Sequence, residues 1–283
     1  MGLLILSSIL WGSSFVSIKI GLEYLDPYNF AFLRLASAAS ILLAIQVARR
    51  RFRFGVLKQG SAWLLGLLNC VGFLLQYLGL LFTTAAKTAL LVDLNVVIIA
   101  ILSWRFFQES FGRQKQLGVL LGVLGAVMIT TNGDLSSVLT TGQLFGDVLV
   151  FSSGMVWALF VVLHKRVFMK KDQDVIELST VVMIATTLLL FPIAVILGSL
   201  PSSNIPIQGW VIVAYSAVAC TVLPYAMWVA ALKAVTATVA AVVGMLEIVA
   251  AMILSSIFLG EAYNTVTLVG ALLVLIALFA VAS

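Results

Sequence analysis

The stretch "VTATVAAVVGMLEIVAAMILSSIFLGEA" (235–262) carries two charges, Glu247 in its middle and Glu261 at its end. An ionised carboxylate in hydrocarbon costs several kcal/mol, so it is neutralised, paired or placed in a watery cavity. A second stretch, "TTAAKTALLVDLNVVIIAILSWRFFQES" (83–110), aligns with the first at an offset of 152 residues. Thr84 then falls over Thr236, Ala85 over Ala237, Leu94 over Leu246, Asn95 over Glu247 and Glu109 over Glu261. The same offset carries on to Gly118 and Gly270. Nearer the start, Trp11 is followed by Lys19 at the spacing that separates Trp157 from Lys165. The chain therefore reads as a unit and its repeat.

Composition says what kind of unit. The 283 residues are 63% hydrophobic and 10% charged, where a soluble domain carries about 25% charge. Apolar runs long enough to cross a bilayer recur throughout. They lack the period-2 alternation of barrel strands, so the spans are helices. Ten are expected, at 2–20, 28–48, 61–82, 86–106, 115–131, 145–164, 175–198, 209–230, 236–258 and 264–282. The fold class is all-α integral membrane, with ten transmembrane helices in two inverted-topology five-helix repeats. The first repeat is 1–131, the linker 132–144 and the second repeat 145–283. Five helices per repeat is an odd number, which forces opposite orientations. Inverted repeats are characteristic of secondary transporters, where rocking of the halves exposes a midplane site to each side in turn.

The net charge of +5 is not a nucleic-acid footprint, because the basic residues lie in short loops. Arg49, Arg50, Arg51, Arg53 and Lys58 fill one loop, Arg105, Arg113 and Lys115 another, and Lys165, Arg166, Lys170 and Lys171 a third. Lys233 marks a fourth, and the alternate loops have only Lys87. That alternation puts both termini in the cytoplasm. Cys70 and Cys220 lie inside apolar spans and read as small packing residues, with no metal-ligand spacing. The first span has no basic n-region and reads as a retained helix rather than a cleaved signal.

Glu247 is the strongest functional candidate. It shares a helix face with Ala240, Gly244, Ala251 and Ser255, a small-residue face that suits close packing or a cavity wall. A structural, protonated Glu is the alternative. Asn95 is its counterpart, suited to a substrate amide or an interhelical hydrogen bond. Asp93 lies about 200° around a regular helix from Asn95 and is expected to face elsewhere. An Asp93–Arg34 pair is one expectation, since both sit at similar depth. Direct binding of a carboxylate- or amine-bearing substrate by one of them is the other. Trp11, Trp157 and Trp228, with Tyr77 and Tyr225, are candidate aromatic walls, against plain packing. Gln76, Asn69 and Tyr77 put polar groups in the third span, and Pro224 can free a backbone carbonyl in the eighth. His164, beside Lys165 and Arg166, is expected at the interface. Lys19 and Lys87 are expected to snorkel, and Glu109 and Glu261 to cap or pair near the loops.

Several stretches resemble the drug/metabolite transporter superfamily, in particular its EamA-type members. They are "WGSSFVSIKIGLEYLDPYNFAFLRLASAASILL" (11–43), "YLGLLFTTAAKTALL" (77–91), "MVWALFVVLHKRV" (155–167) and "ALKAVTATVAAVVGMLEIVAAMILSSIFLGEA" (231–262). The resemblance spans essentially the whole chain. It implies ten helices, two inverted repeats and a central cavity, and it leaves the substrate open. Relatives often read Leu-x-Pro in the fourth and ninth helices, whereas Val96 and Ile248 stand at those positions here, so a proline kink is not expected. No catalytic motif is present, and no enzyme is expected. The expected function is secondary active transport of a small metabolite, an amino acid or related amphiphile, across the plasma membrane by alternating access, with export favoured by the resemblance. The rivals are an uncoupled uniporter or exchanger, and a non-transporting scaffold or lipid-handling protein. No cofactor is expected beyond a coupling proton. The partners are a small-molecule substrate and the lipid bilayer, and no motif points to a particular oligomer.

Overall fold

The computed structural model describes residues 1–50, 52, 58–107, 112–131, 143–170, 175–198, 205–232, 234–235 and 237–282. Every regular element among them is helical. In chain order they are α1 (Gly2–Gly21), α2 (Pro27–Ala48), α3 (Gly60–Leu80), α4 (Ala85–Asp93), α5 (Asn95–Phe107), α6 (Arg113–Thr131), α7 (Gln143–Lys170) and α8 (Val175–Leu197). Next comes α9 (Ile207–Ala217), which passes through a π turn (Val218–Val222) into α10 (Leu223–Leu232). The last are α11 (Ala237–Gly244), α12 (Leu246–Leu259) and α13 (Thr265–Ala282). Glu109, the linker residues 132–142, Arg51, Arg53, Lys171 and Lys233 lie outside the described residues.

Among the described residues, seven stretches are long and apolar enough to cross a membrane, and Leu246–Leu259 and Thr265–Ala277 are shorter apolar helices. Ile196, Ile257 and Phe258 are exposed on the outside of the bundle, as befits helices that have lipid rather than water for a neighbour. The chain is a multi-pass helical membrane protein.

Local chemistry sets the ends. Asp26 precedes Pro27, which suits the first helical position because its missing N–H has no partner there anyway. The Asp26 carboxylate accepts from the backbone N–H of Tyr28 and Asn29 at 3.1 and 3.0 Å. Thr84 caps α4 by accepting from the Lys87 N–H at 3.2 Å. Gly260, at φ 66°, ends α12 in the left-handed conformation that glycine adopts without strain.

Two helices that the sequence presents as continuous are broken near mid-span. The Leu94 turn separates α4 from α5, and the Met245 turn separates α11 from α12. Each break tightens into a backbone bond of i to i+3 type, Val97 N–H to Leu94 O at 3.2 Å and Ile248 N–H to Met245 O at 3.1 Å. Neither involves proline: Val96 and Ile248 stand just beyond breaks that form without a proline kink. A third irregularity is the π turn. Thr221 Oγ1 donates to Ser216 O at 2.9 Å, and Pro224 has no N–H to give the Cys220 carbonyl.

The helices approach closely where they carry glycine. A Cβ on Gly12 would sit 2.5 Å from the Glu247 carbonyl oxygen and 2.6 Å from Ala250 Cβ, so α1 lies directly on the start of α12. Gly79 and Gly146 bring α3 and α7 together, each Cβ position within 2.8 Å of the other's carbonyl. Helices α6 and α13 pack chiefly on one another, at the side of the bundle. The remaining helices surround a cavity at the level of the breaks.

Candidate functional site

The cavity has a volume of about 150 Å³, about that of an engineered protein cavity that takes up benzene. Helix α2 supplies Arg34 and α3 supplies Asn69, Phe73 and Gln76. The two breaks supply Asp93 and Asn95 from one helix and Gly244 and Glu247 from the other. Helices α1, α7 and α10 add Trp11, Trp157, Tyr225 and Trp228. Of the ten residues picked from sequence, nine line this one space. Tyr77 does not. It is fully buried behind the wall, where its hydroxyl accepts from Arg34 at 3.2 Å.

Asp93 corrects a second expectation. On an unbroken helix it would face away from Asn95. Because α4 ends at Asp93 and α5 begins at Asn95, both residues reach the cavity. The Asp93 and Glu247 carboxyls come close enough to interact side chain to side chain. Both residues are buried, and Asp93 Oδ2 has no hydrogen-bond partner among the described residues. The expected Asp93–Arg34 pair does not form among the described residues. Arg34 instead donates to four neutral acceptors: Thr221 Oγ1 at 2.8 Å, Ser14 Oγ at 2.9 Å, Tyr77 Oη at 3.2 Å and Cys220 O at 2.9 Å. Its guanidinium also lies 5.2 Å from the centre of the Phe73 ring.

The Cys220 carbonyl is the one that Pro224 cannot pair, so proline in the sequence becomes an arginine ligand in the structure. Cys220 itself is fully buried, as expected of a small packing residue, and borders the cavity. Its thiol lies 3.5 Å from Ser13 Oγ.

Aromatic rings form the apolar wall. Trp11 and Trp228 are 6.0 Å apart between centroids, Phe73 and Trp157 5.1 Å, and Trp157 and Phe160 5.4 Å, the last two edge to face. That geometry is favourable for aromatic pairs. Phe73 and Phe160 were not anticipated, because a phenylalanine in an apolar span has no signal to separate wall from lipid. His164 is not interfacial as expected. It is buried one turn beyond Phe160, its Nε2 bonded to the Tyr225 hydroxyl at 3.2 Å, and its Nδ1 lacks a partner.

A second polar cluster lies at the end of the bundle where α1 finishes. The Glu261 carboxylate accepts from the Ala85 and Ala86 N–H groups at 3.0 and 3.4 Å and so caps α4. Tyr263 donates to Glu261 at 2.8 Å. The Lys19 ammonium donates to Leu80 O and Thr83 O at 2.7 and 2.8 Å, satisfying carbonyls at the end of α3 rather than snorkelling. Thr83 donates to Asp147 at 2.6 Å, and Lys87 to Gln143 at 3.0 Å. Glu261 thus caps, as expected, but it caps a helix other than its own.

A polytopic helical protein with broken helices, carboxyls at the breaks and a small aromatic cavity at mid-depth belongs to the class of membrane transporters. Comparison with known proteins narrows that to a family. The chain belongs to the EamA-like transporter family, whose model matches residues 1–131 and 144–283. It is 32% identical to an uncharacterized transporter of Archaeoglobus fulgidus over 85% of this chain and 82% of that one. It is 28% identical to the uncharacterized transporter YyaM of Bacillus subtilis over 95% of this chain and 88% of that one. A solved crystal structure superposes with a TM-score of 0.76 over 99% of this chain and 96% of the other, at 17% identity, a likeness of fold.

Proposed function

We propose that the protein is a secondary active transporter that moves a small metabolite, an amino acid or related amphiphile, across the plasma membrane by alternating access. The Asp93–Glu247 carboxyl pair in the cavity is the observation that carries this reading. Two carboxyls that face each other in a cavity can pass a proton between them and to a bound substrate. A site that holds a proton beside the substrate is what proton-coupled exchange requires.

Rocking needs two equivalent halves, and the packing supports the inverted repeat. Helices α1–α6 (1–131) form one half and α7–α13 (145–283) the other, joined through the linker 132–144. Gly154 of α7 lies on the Leu91 and Val92 carbonyls. At the corresponding place in the other half, Ser8 of α1 donates to the Val243 carbonyl at 3.1 Å. Both termini are then cytoplasmic, and the cluster of Lys19, Glu261 and Asp147 lies toward the outside. Export is the direction we assign.

The test is reconstitution in liposomes with a proton indicator inside. Substrate-driven proton flux is expected for the wild type and is lost in Glu247→Gln. Flux that survives unchanged in that variant sinks the coupling role. Transport indifferent to an imposed pH gradient makes the protein a uniporter.

A further inference from the structure

We infer that Arg34 is the docking site for an anionic head group of the substrate, a carboxylate in the first instance. The inference rests on the transport reading for its biology, but its evidence is the cavity itself. Arg34 is 2% exposed and lines the cavity, yet no carboxylate pairs with it among the described residues. A buried charge without a counter-charge is costly, and removing it from water is offset only by pairing and full hydrogen bonding. The protein supplies the hydrogen bonds and withholds the counter-charge.

The donor inventory agrees. Arginine has five N–H donors in a rigid fork. Here Nε serves Thr221, the two on Nη1 serve Ser14 and Tyr77, and one on Nη2 serves Cys220 O. The second Nη2 donor has no partner among the described residues. Four neutral ligands from three other elements therefore fix the guanidinium and leave one charged donor unused. The Cys220 ligand exists because Pro224 lacks an N–H. That device has no purpose in plain packing, where a leucine would fill the space at lower cost.

The carboxyls of Asp93 and Glu247 line the same cavity without reaching Arg34. Opposite charges held apart across about 150 Å³ leave room for a ligand between them. The rings of Trp11, Phe73, Trp157, Phe160 and Trp228 take its apolar part. The head group is then read at Arg34, and an amine, where the substrate has one, falls to the Asp93 oxygen that lacks a partner.

The experiment uses four one-ring probes that differ in head group: benzoate, benzamide, benzylamine and phenylglycine. Binding to the purified full-length protein is measured by calorimetry or thermal shift, which does not depend on transport. Benzoate and phenylglycine should bind at least about ten-fold more tightly than benzamide and benzylamine, as expected for a hydrogen bond to a charged group. In Arg34→Gln that preference should vanish, and in Arg34→Lys part of it should remain. Equal binding of benzoate and benzamide by the wild type overturns the proposal without recourse to any variant. A preference that persists in a folded Arg34→Gln protein overturns it as well. Phenylglycine binding above benzoate supports the site and assigns a zwitterion, and the reverse order supports it and assigns a simple anion. If the acid preference holds but no probe moves in liposomes, the anion site stands and the transport reading falls.

Discussion

The two broken helices make a controlled comparison. Helices α4 and α5 break at Leu94, and α11 and α12 break at Met245, in stretches that align residue for residue. The breaks fall one residue apart in that alignment, where Leu94 lies over Leu246, and the side chains around them differ. The first carries Asp93 and Asn95, and the second carries Met245 and Glu247 at the equivalent positions. A symmetric pair would have put two like groups at equivalent positions of the aligned stretches. Instead one carboxyl comes from each helix at positions two residues out of register, and the two meet in one cavity. The backbone break is shared architecture. The polar content at the break is where the halves have diverged, and divergence there marks chemistry.

The strongest way to break this comparison is to make the halves alike. Asp93→Asn removes one carboxyl of the pair while keeping its size, and proton-coupled flux in liposomes should fall by about ten-fold or more, since 1.4 kcal/mol of lost coupling is a factor of ten. Asn95→Ala, at the position equivalent to Glu247, should change it by less than about three-fold. Equal losses in the two variants would mean that the breaks act as a polar pair and not as an acid pair.

Much of this was legible beforehand. The helical membrane class comes from apolar run length alone, and Glu247 drew notice as a lone charge inside an apolar span. The position of Asp93 was not legible, because a helical wheel assumes an unbroken helix, and Leu94 carries no proline or glycine to announce a break. The environment of Arg34 was half legible. Pro224 signals an unpaired carbonyl, but nothing local tells which distant side chain takes it. His164 was misplaced because its basic neighbours suggested a loop, while α7 runs on to Lys170. In each case the missing information was a tertiary contact that no pattern within one span encodes.

A smaller effect tests how each half seats its break. Gly12 of α1 lies on the Glu247 carbonyl, and its counterpart in α7 is Ala158, which is fully buried with its Cβ already accommodated. Gly12→Ala forces α1 off α12 and should lower stability by about 1–3 kcal/mol, the usual cost of overpacking. Ala158→Gly only deletes a methyl and should cost about 1 kcal/mol. Melting of the detergent-solubilised protein ranks the two, and the opposite ranking would deny that α1 is the tighter seat. The cap at the far end of α4 is weaker again. Glu261→Ala leaves the Ala85 and Ala86 N–H groups without their acceptor and should cost about 0.5–2 kcal/mol.

One change that looks severe should be mild. Ile248→Pro places a proline inside an apolar helix, where proline ordinarily costs about 3 kcal/mol or more. But Ile248 is the third residue of α12, and its N–H makes only the short bond to Met245 O at the break. The first turn of a helix tolerates proline, because the N–H groups there lack intrahelical partners. The loss is one backbone hydrogen bond and part of a buried side chain, about 1–2 kcal/mol together. Ile253→Pro, further along the same helix at an exposed position, removes a regular bond and clashes with the preceding turn, so it should show the full penalty. If Ile248→Pro melts no higher than Ile253→Pro, α12 is continuous through Met245 and the break is not a built feature. If it melts clearly higher, the break stands without proline, held by the seat of α1 on the Glu247 carbonyl.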